Sequence, residues 1–234
     1  MHSDVCKHSL AVVIYGCEVY EQEDFMAHYF DSNPETASDK KVISYRRNGV
    51  NFEFVTDTNV FCRDKIDFGT DLLLEAMIED LKTSGSKVTS VLDLGCGYGC
   101  VGIVMKSVFK AASITCTDVN ERAVSLCEEN SKMNGTPIKK IVSGDCLAAL
   151  NEEDMFDVVA TNPPVRAGKK TVFEFYTQAF EHMVEGGRIY VVLQRKQGAP
   201  SSEKKLLELF GNCETIEIEA GYHIMRSIKT YAED

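Results

Sequence analysis

From Lys87 onward, short runs rich in β-branched residues alternate with runs at helical spacing, and this alternation constrains the fold more than any other feature of the chain. Strands are expected over Val88–Leu94, Ser113–Thr117, Lys139–Val142, Phe156–Thr161 and Arg188–Leu193. Helices are expected over Val101–Lys110, Asn120–Asn134, Lys170–Val184 and Ser201–Phe210, with Asn120 as a cap and Gly135 as a stop. Strand–helix–strand units imply a mainly parallel sheet with helices on both faces. Glu214–Ile218 and Tyr222–Ile228 are too close for a crossover helix, so they form an antiparallel hairpin. Upstream, Val42–Arg47 and Val50–Thr56 flank Asn48-Gly49, a pair suited to the positive φ angles of a type I′ turn. Val50, Phe52 and Phe54 alternate with Asn51, Glu53 and Val55, which buries one face. Leu72 to Leu81 has helical spacing, entered through Gly69-Thr70-Asp71. The expected organisation is an extension (1–25), a β-hairpin region (26–58) and a doubly wound α/β domain (59–234).

Composition removes several classes. With 44% hydrophobic and 26% charged residues among 234, the chain is not a disordered one. No apolar run approaches the roughly 18 residues of a membrane-spanning helix. A net charge of −11 opposes non-specific nucleic-acid binding but leaves room for a local basic patch. The nine cysteines are irregularly spaced without C-x-x-C, which indicates a reducing, cytoplasmic setting and no disulfide framework. Cys116 and Cys127 lie in apolar runs, where free cysteine acts as a small hydrophobe. Cys96 with Cys100, and Cys6 with His8, lack a second pair at zinc-ligand spacing, so no metal site is expected. Leu10–Cys17 has the outline of a secretory apolar region, but Asp4 offsets Lys7 and Tyr15 is a poor residue before a cleavage site.

A glycine loop, Asp93-Leu-Gly95-Cys-Gly97-Tyr-Gly99-Cys-Val-Gly102, joins the first strand of the main domain to its first helix. Such a loop brings a ligand close to the backbone at a helix N-terminus. Gly97-x-Gly99-x-x-Gly102 fits a dinucleotide loop, and Asp93-x-Gly95-x-Gly97-x-Gly99 fits an S-adenosylmethionine loop. Asp118 ends the second strand of that domain, where a carboxylate can accept ribose hydroxyls of either cofactor. Asp145 follows the third.

Asn162-Pro163-Pro164 ends the strand Phe156–Thr161 and separates the two possibilities. Two prolines impose a rigid, extended backbone without donors. The Asn162 amide oxygen and Pro163 carbonyl can then hold the hydrogens of an –NH2 group and turn its lone pair toward an electrophilic methyl. A dehydrogenase has no use for that arrangement.

From about His28 to Lys229 the chain resembles the small-subunit (16S) ribosomal RNA guanine-N2 methyltransferase family in its short single-domain form. The carrying segments are His28-Tyr29-Phe30, Asn33-Pro34, Val60-Phe61, Asp67-Phe68-Gly69-Thr70, the glycine loop, Asp118–Ala123, Asn162–Lys169 and Gln194–Pro200. The resemblance implies a class I methyltransferase (Rossmann-like) fold with a seven-stranded, mostly parallel sheet. It implies S-adenosylmethionine bound by Asp93, Gly95, Cys96, Gly97, Gly99, Asp118, Val119, Asp145 and Cys146, with Asn162 adjoining it. The implied catalytic segment is Asn162, Pro163 and Pro164, and the implied partner is ribosomal RNA or the small ribosomal subunit. Val165 stands where many such enzymes have an aromatic residue, so Phe173, Phe175 or Tyr176 is expected to stack on the base. Arg166, Lys169, Lys170, Arg195 and Lys196 are candidate phosphate contacts. Two alternatives stand beside this reading: methylation of a protein glutamine amide, and a cofactor-binding scaffold without turnover.

Overall fold

The structure, a computed structural model, describes residues 37–144 and 150–230. The extension 1–25, the segments around His28 and Asn33, and Asp145 and Cys146 lie outside the described residues. Strands β1 (Lys41–Arg47) and β2 (Val50–Thr56) form the expected antiparallel hairpin. Its turn has Asn48 at φ 51° and Gly49 at φ 78°, as a type I′ geometry requires.

Helix α1 (Phe68–Thr83) leads into the main sheet. It starts earlier than expected: Asp67 caps it by accepting from Thr70 N–H, and Gly69-Thr70-Asp71 lie inside its first turn. Then follow β3 (Ser90–Leu94), α2 (Cys100–Val108), β4 (Ser113–Asp118), α3 (Glu121–Met133) and β5 (Lys140–Ser143). After them come β6 (Phe156–Thr161), α4 (Lys169–Glu181), β7 (Met183–Gln194), α5 (Ala199–Phe210), β8 (Glu214–Glu219) and β9 (Tyr222–Ile228). The seven strands are ordered β5-β4-β3-β6-β7-β9-β8, parallel except for β9, which runs against both neighbours. Chain order reverses between β3 and β6, so the crevice beyond their C-terminal ends is the place for a ligand.

A larger difference from the expected boundaries lies between α4 and β7. α4 stops at Glu181, and β7 begins at Met183 instead of Arg188. Met183 already pairs with Phe156, and the register then slips before Arg188 pairs with Val158. Gly186-Gly187 form this irregularity within the strand, exchanging backbone bonds of 2.8 Å with Lys229.

The sheet separates two apolar layers. Val91, Val158, Tyr190 and Val192 face α1, α2, α3 and the hairpin. Leu92, Val159, Ile189 and Val191 face α4 and α5. Ile43, Phe52, Phe54 and Val55 of the hairpin belong to the first layer.

Two asparagines one turn apart on α3 and its C-terminal cap fasten the hairpin. Asn130, fully buried, accepts from Val55 N–H at 2.7 Å and donates to Val55 C=O at 3.0 Å. Asn134 makes the same pair of bonds to Glu53 at 3.1 and 2.8 Å. Their carboxamides replace a strand along the free edge of β2, satisfying groups that an exposed edge offers to other chains. Asn130 also donates to Tyr98 C=O in the glycine loop at 2.9 Å. Asn130→Ala strands three buried backbone groups at about 1–3 kcal/mol each. Urea unfolding should therefore show a loss of about 3 kcal/mol or more, and a loss under about 1 kcal/mol would mean that the hairpin is held by apolar packing alone.

Candidate active site

The glycine loop leaves β3 and turns back on itself over the end of β4. Gly95 and Cys96 N–H both donate to Thr117 C=O at 2.9 Å. Gly97 N–H donates to Asp118 Oδ2 at 2.8 Å, and Asn120 N–H donates to Oδ1 at 2.9 Å. Gly97 has φ 55°, and a Cβ added there would meet nothing within 4 Å. The backbone on this side is therefore open to a ligand, and α2 begins at Gly99 without a side-chain cap. Tyr98 turns the other way, buried, its ring 5.8 Å from that of Phe54. Gly99 takes φ 91° and lets Cys127 approach, since a Cβ there would lie 2.5 Å from its Sγ.

The two acidic candidates differ. Burial raises the Asp118 carboxyl above its usual range, against the pull of the Asn120 and Gly97 N–H groups. Each of its oxygens keeps a second lone pair, so a ribose hydroxyl can still be accepted. Val119 beside it is half-buried. Asp93 is only 2% exposed and accepts from Gly102 N–H at 2.8 Å, bracing α2 against β3 from behind the loop. Burial pushes its carboxyl up to about 8.

Across the switch point, Asn162 follows β6. Its amide nitrogen donates to Asp67 Oδ2 and to Thr70 Oγ1, both at 3.1 Å. Both N–H groups being engaged, the orientation of the carboxamide is fixed and its Oδ1 remains for an incoming donor. Asp67 and Thr70 are site residues that sequence reasoning misses. Asp67-x-x-Thr70 is a helix-cap pattern, and only the fold brings it to the end of β6. Pro164, at φ −74° and ψ 77°, is the centre of an inverse γ-turn in which Val165 N–H donates to Pro163 C=O at 2.8 Å. One lone pair of the Pro163 carbonyl is thus spent and one is left.

The expected base-stacking residues separate. Tyr176 is fully buried and bonds to Ser202 at 3.0 Å, so it is a core residue and not a substrate contact. Phe175 is buried as well, its ring behind Gly95. Phe173 is half-buried, with Lys169 Nζ 5.1 Å from the ring centre. Phe68, which follows Asp67 in the chain, is 41% exposed, with the Tyr222 ring 5.4 Å away. Arg166, Lys169, Lys170, Arg195 and Lys196 are all exposed, after the C-terminal ends of neighbouring β6 and β7.

This sheet order, with a glycine loop and an acid-ended β4 facing an Asn-Pro-Pro turn, defines a class I methyltransferase. The methyltransferase small domain family matches residues 51–226, more than half of the chain, and the chain belongs to that family. The Bacillus subtilis (strain 168) protein YbxB is 38% identical over 202 residues, covering 86% of this chain and 98% of its own length. Ribosomal RNA large subunit methyltransferase G of Pseudomonas putida (strain W619) is 32% identical over 190 residues, 79% of this chain and 48% of that protein. The T. thermophilus 16S rRNA N2 methyltransferase RsmC, solved in complex with AdoMet and guanosine, superimposes with a TM-score of 0.75 at 28% identity. The match covers 84% of this chain and 52% of that one, so the chain spans about half the length of these two ribosomal RNA methyltransferases. The cofactor of the class is S-adenosylmethionine, and the open floor at Gly97 with Asp118 beside it fits such a group. No helix among the described residues is long and apolar enough to cross a membrane.

Asp93 makes the protein's stability depend on pH. In the unfolded chain its carboxyl ionises near pH 4. Between about pH 4 and 8 the folded chain keeps a proton that the unfolded chain has released, so this residue's contribution to stability falls as pH rises through that window. Asp93→Asn retains an acceptor for Gly102 N–H and cannot ionise. Denaturant midpoints at the two ends of the window should draw closer in the variant, and an unchanged spread would show that Asp93 is ionised in the folded state.

Proposed function

We propose that the chain transfers a methyl group from S-adenosylmethionine to the exocyclic amine, N2, of a guanine in ribosomal RNA of the small subunit. The observation that carries this reading is the Asn162 carboxamide, its N–H groups held by Asp67 and Thr70 and its oxygen left as an acceptor. The bound cofactor supplies an electrophilic methyl. Asn162 Oδ1 and the remaining lone pair of the Pro163 carbonyl take the two hydrogens of the amine and keep its lone pair turned away from them. As positive charge builds on the nitrogen, both bonds strengthen, so they stabilise the transition state more than the bound substrate. Phe68, backed by Tyr222, offers a face for the base in place of the aromatic residue that Val165 lacks.

The basic edge supports an RNA substrate. α4 and α5 start without side-chain caps, and neither has an acid in its first turn. Lys169 and Lys170 occupy the positive end of α4, where they oppose the helix dipole. That placement favours an anion between them, and the backbone phosphates of RNA are suitable anions. The similarity to a 16S rRNA N2 methyltransferase bound to guanosine favours guanine and the small subunit.

Asn162→Ala should lower turnover about 10²-fold or more while calorimetry gives nearly the same cofactor affinity. A collapse of cofactor affinity with turnover of the remaining complex intact would assign Asn162 to the cofactor instead. Labelled cofactor offered to small subunits, large subunits and total protein in parallel identifies the acceptor. The expected product is N2-methylguanosine in small-subunit RNA. Label confined to large-subunit RNA would move the target, and label removed by protease would replace RNA by a glutamine amide.

RNA affinity should fall steeply with salt, and Lys169→Ala with Lys170→Ala should flatten the log–log slope by about one for each phosphate that the lysines neutralise. An unchanged slope would place the phosphates elsewhere on the protein.

A further inference from the structure

Beneath the glycine loop lies a cluster that the methyl-transfer chemistry does not use. The Sγ atoms of Cys96, Cys116 and Cys127 all lie within 4.8 Å of one another. They come from the loop after β3, from β4 and from α3, and they are 8%, 0% and 0% exposed. The spacing of these cysteines in the chain gives no hint of the grouping; the parallel pairing of β3 with β4 and the packing of α3 create it. Gly99 and Gly102 leave the room, since a Cβ at either would sit 2.5 Å from one of the thiols. Among the described residues no fourth histidine, cysteine or carboxylate joins them.

Three sulfurs about 2.3 Å from a shared centre stand about 4.0 Å apart when the centre is planar and about 3.5 Å apart when it is pyramidal, so the thiols need draw together by little more than about 1 Å to form a three-coordinate site. Charge selects the occupant. Three thiolates around a divalent ion leave one negative charge in the core, and around a monovalent ion two, each costly to bury. Zinc also asks for a fourth ligand that the cluster does not supply. A trivalent thiophilic centre makes a neutral complex that needs three ligands only. We propose that Cys96, Cys116 and Cys127 form a three-thiol site for a trivalent metalloid of the arsenite type. Arsenous acid condenses with the three thiols: three As–S bonds form and three As–O bonds break. Each thiol proton leaves with a hydroxide as water, and arsenic keeps its oxidation state. Entry requires local opening of the loop that carries Cys96, and reclosure restores the bonds of Gly95 and Cys96 N–H to Thr117 C=O.

Arsenite titrated into the full chain, with Cys6, Cys17, Cys62 and Cys213 replaced by Ser, tests this. Native mass spectrometry should show one arsenic gained and three hydrogens lost, and X-ray absorption should show three sulfur neighbours. Cys116→Ala and Cys127→Ala in the same background should each lose the third sulfur. Two sulfurs in the background protein, or three that survive both substitutions, would overturn the site; the first result does not depend on either alanine variant folding. None of these readouts depends on which acceptor is methylated.

Discussion

The parallel pairing of β3 with β6 is the contact on which the site depends. Val91, Leu92 and Asp93 stand opposite Val158, Val159 and Ala160. That register puts the glycine loop and Asn162 at the same level on one edge of the sheet. All six residues are buried, and the two cores alternate across them, so a one-residue slip would turn each apolar side chain toward the wrong layer. The distance between cofactor loop and acceptor turn is therefore set by core packing, which tolerates little displacement.

Polar side chains then fix what apolar packing leaves free. Asp67 caps α1 and, through the same oxygen, holds Asn162. Asn130 ties β2 to α3 and to the glycine loop at Tyr98. Each joins a structural element to a functional one, so the hairpin and α1 are supports for the site as well as parts of the core. An amide with both hydrogens bonded loses no orientational freedom when substrate arrives, which would be the value of setting Asn162 beforehand in the proposed mechanism.

Much of this was legible in the chain. Asn48-Gly49 marked the hairpin, Asn120 the cap of α3, and the alternation after Lys87 the doubly wound sheet, because each depends on local backbone chemistry or on period. What stayed hidden depends on contacts between distant segments. Nothing near Asp67 shows that it will meet Asn162, 95 positions further on. Tyr176 looks like a stacking residue in sequence, and only its bond to Ser202 of α5 reveals a core position. The start of β7 was obscured by Gly186-Gly187, which normally read as a loop but here sit in a strand irregularity held by Lys229. The thiol cluster is the extreme case, three residues from three elements with no linear signature.

The charge of the chain bears on how a large polyanion could approach. A net −11 repels phosphate over most directions, while Arg166, Lys169, Lys170, Arg195 and Lys196 sit together on the edge that carries the site. Charges beyond a Debye length of about 8 Å are largely screened at physiological salt, so the local cluster outweighs the distant acids for a bound strand. For the RNA substrate proposed above, the remaining acidic surface would work against unproductive contacts elsewhere on the molecule, because a displaced phosphate register brings RNA against carboxylates instead of lysines. On the proposed function, an acidic protein with a basic edge trades overall affinity for orientation: the strand would be held where the Asn162 acceptor faces it, and held weakly elsewhere.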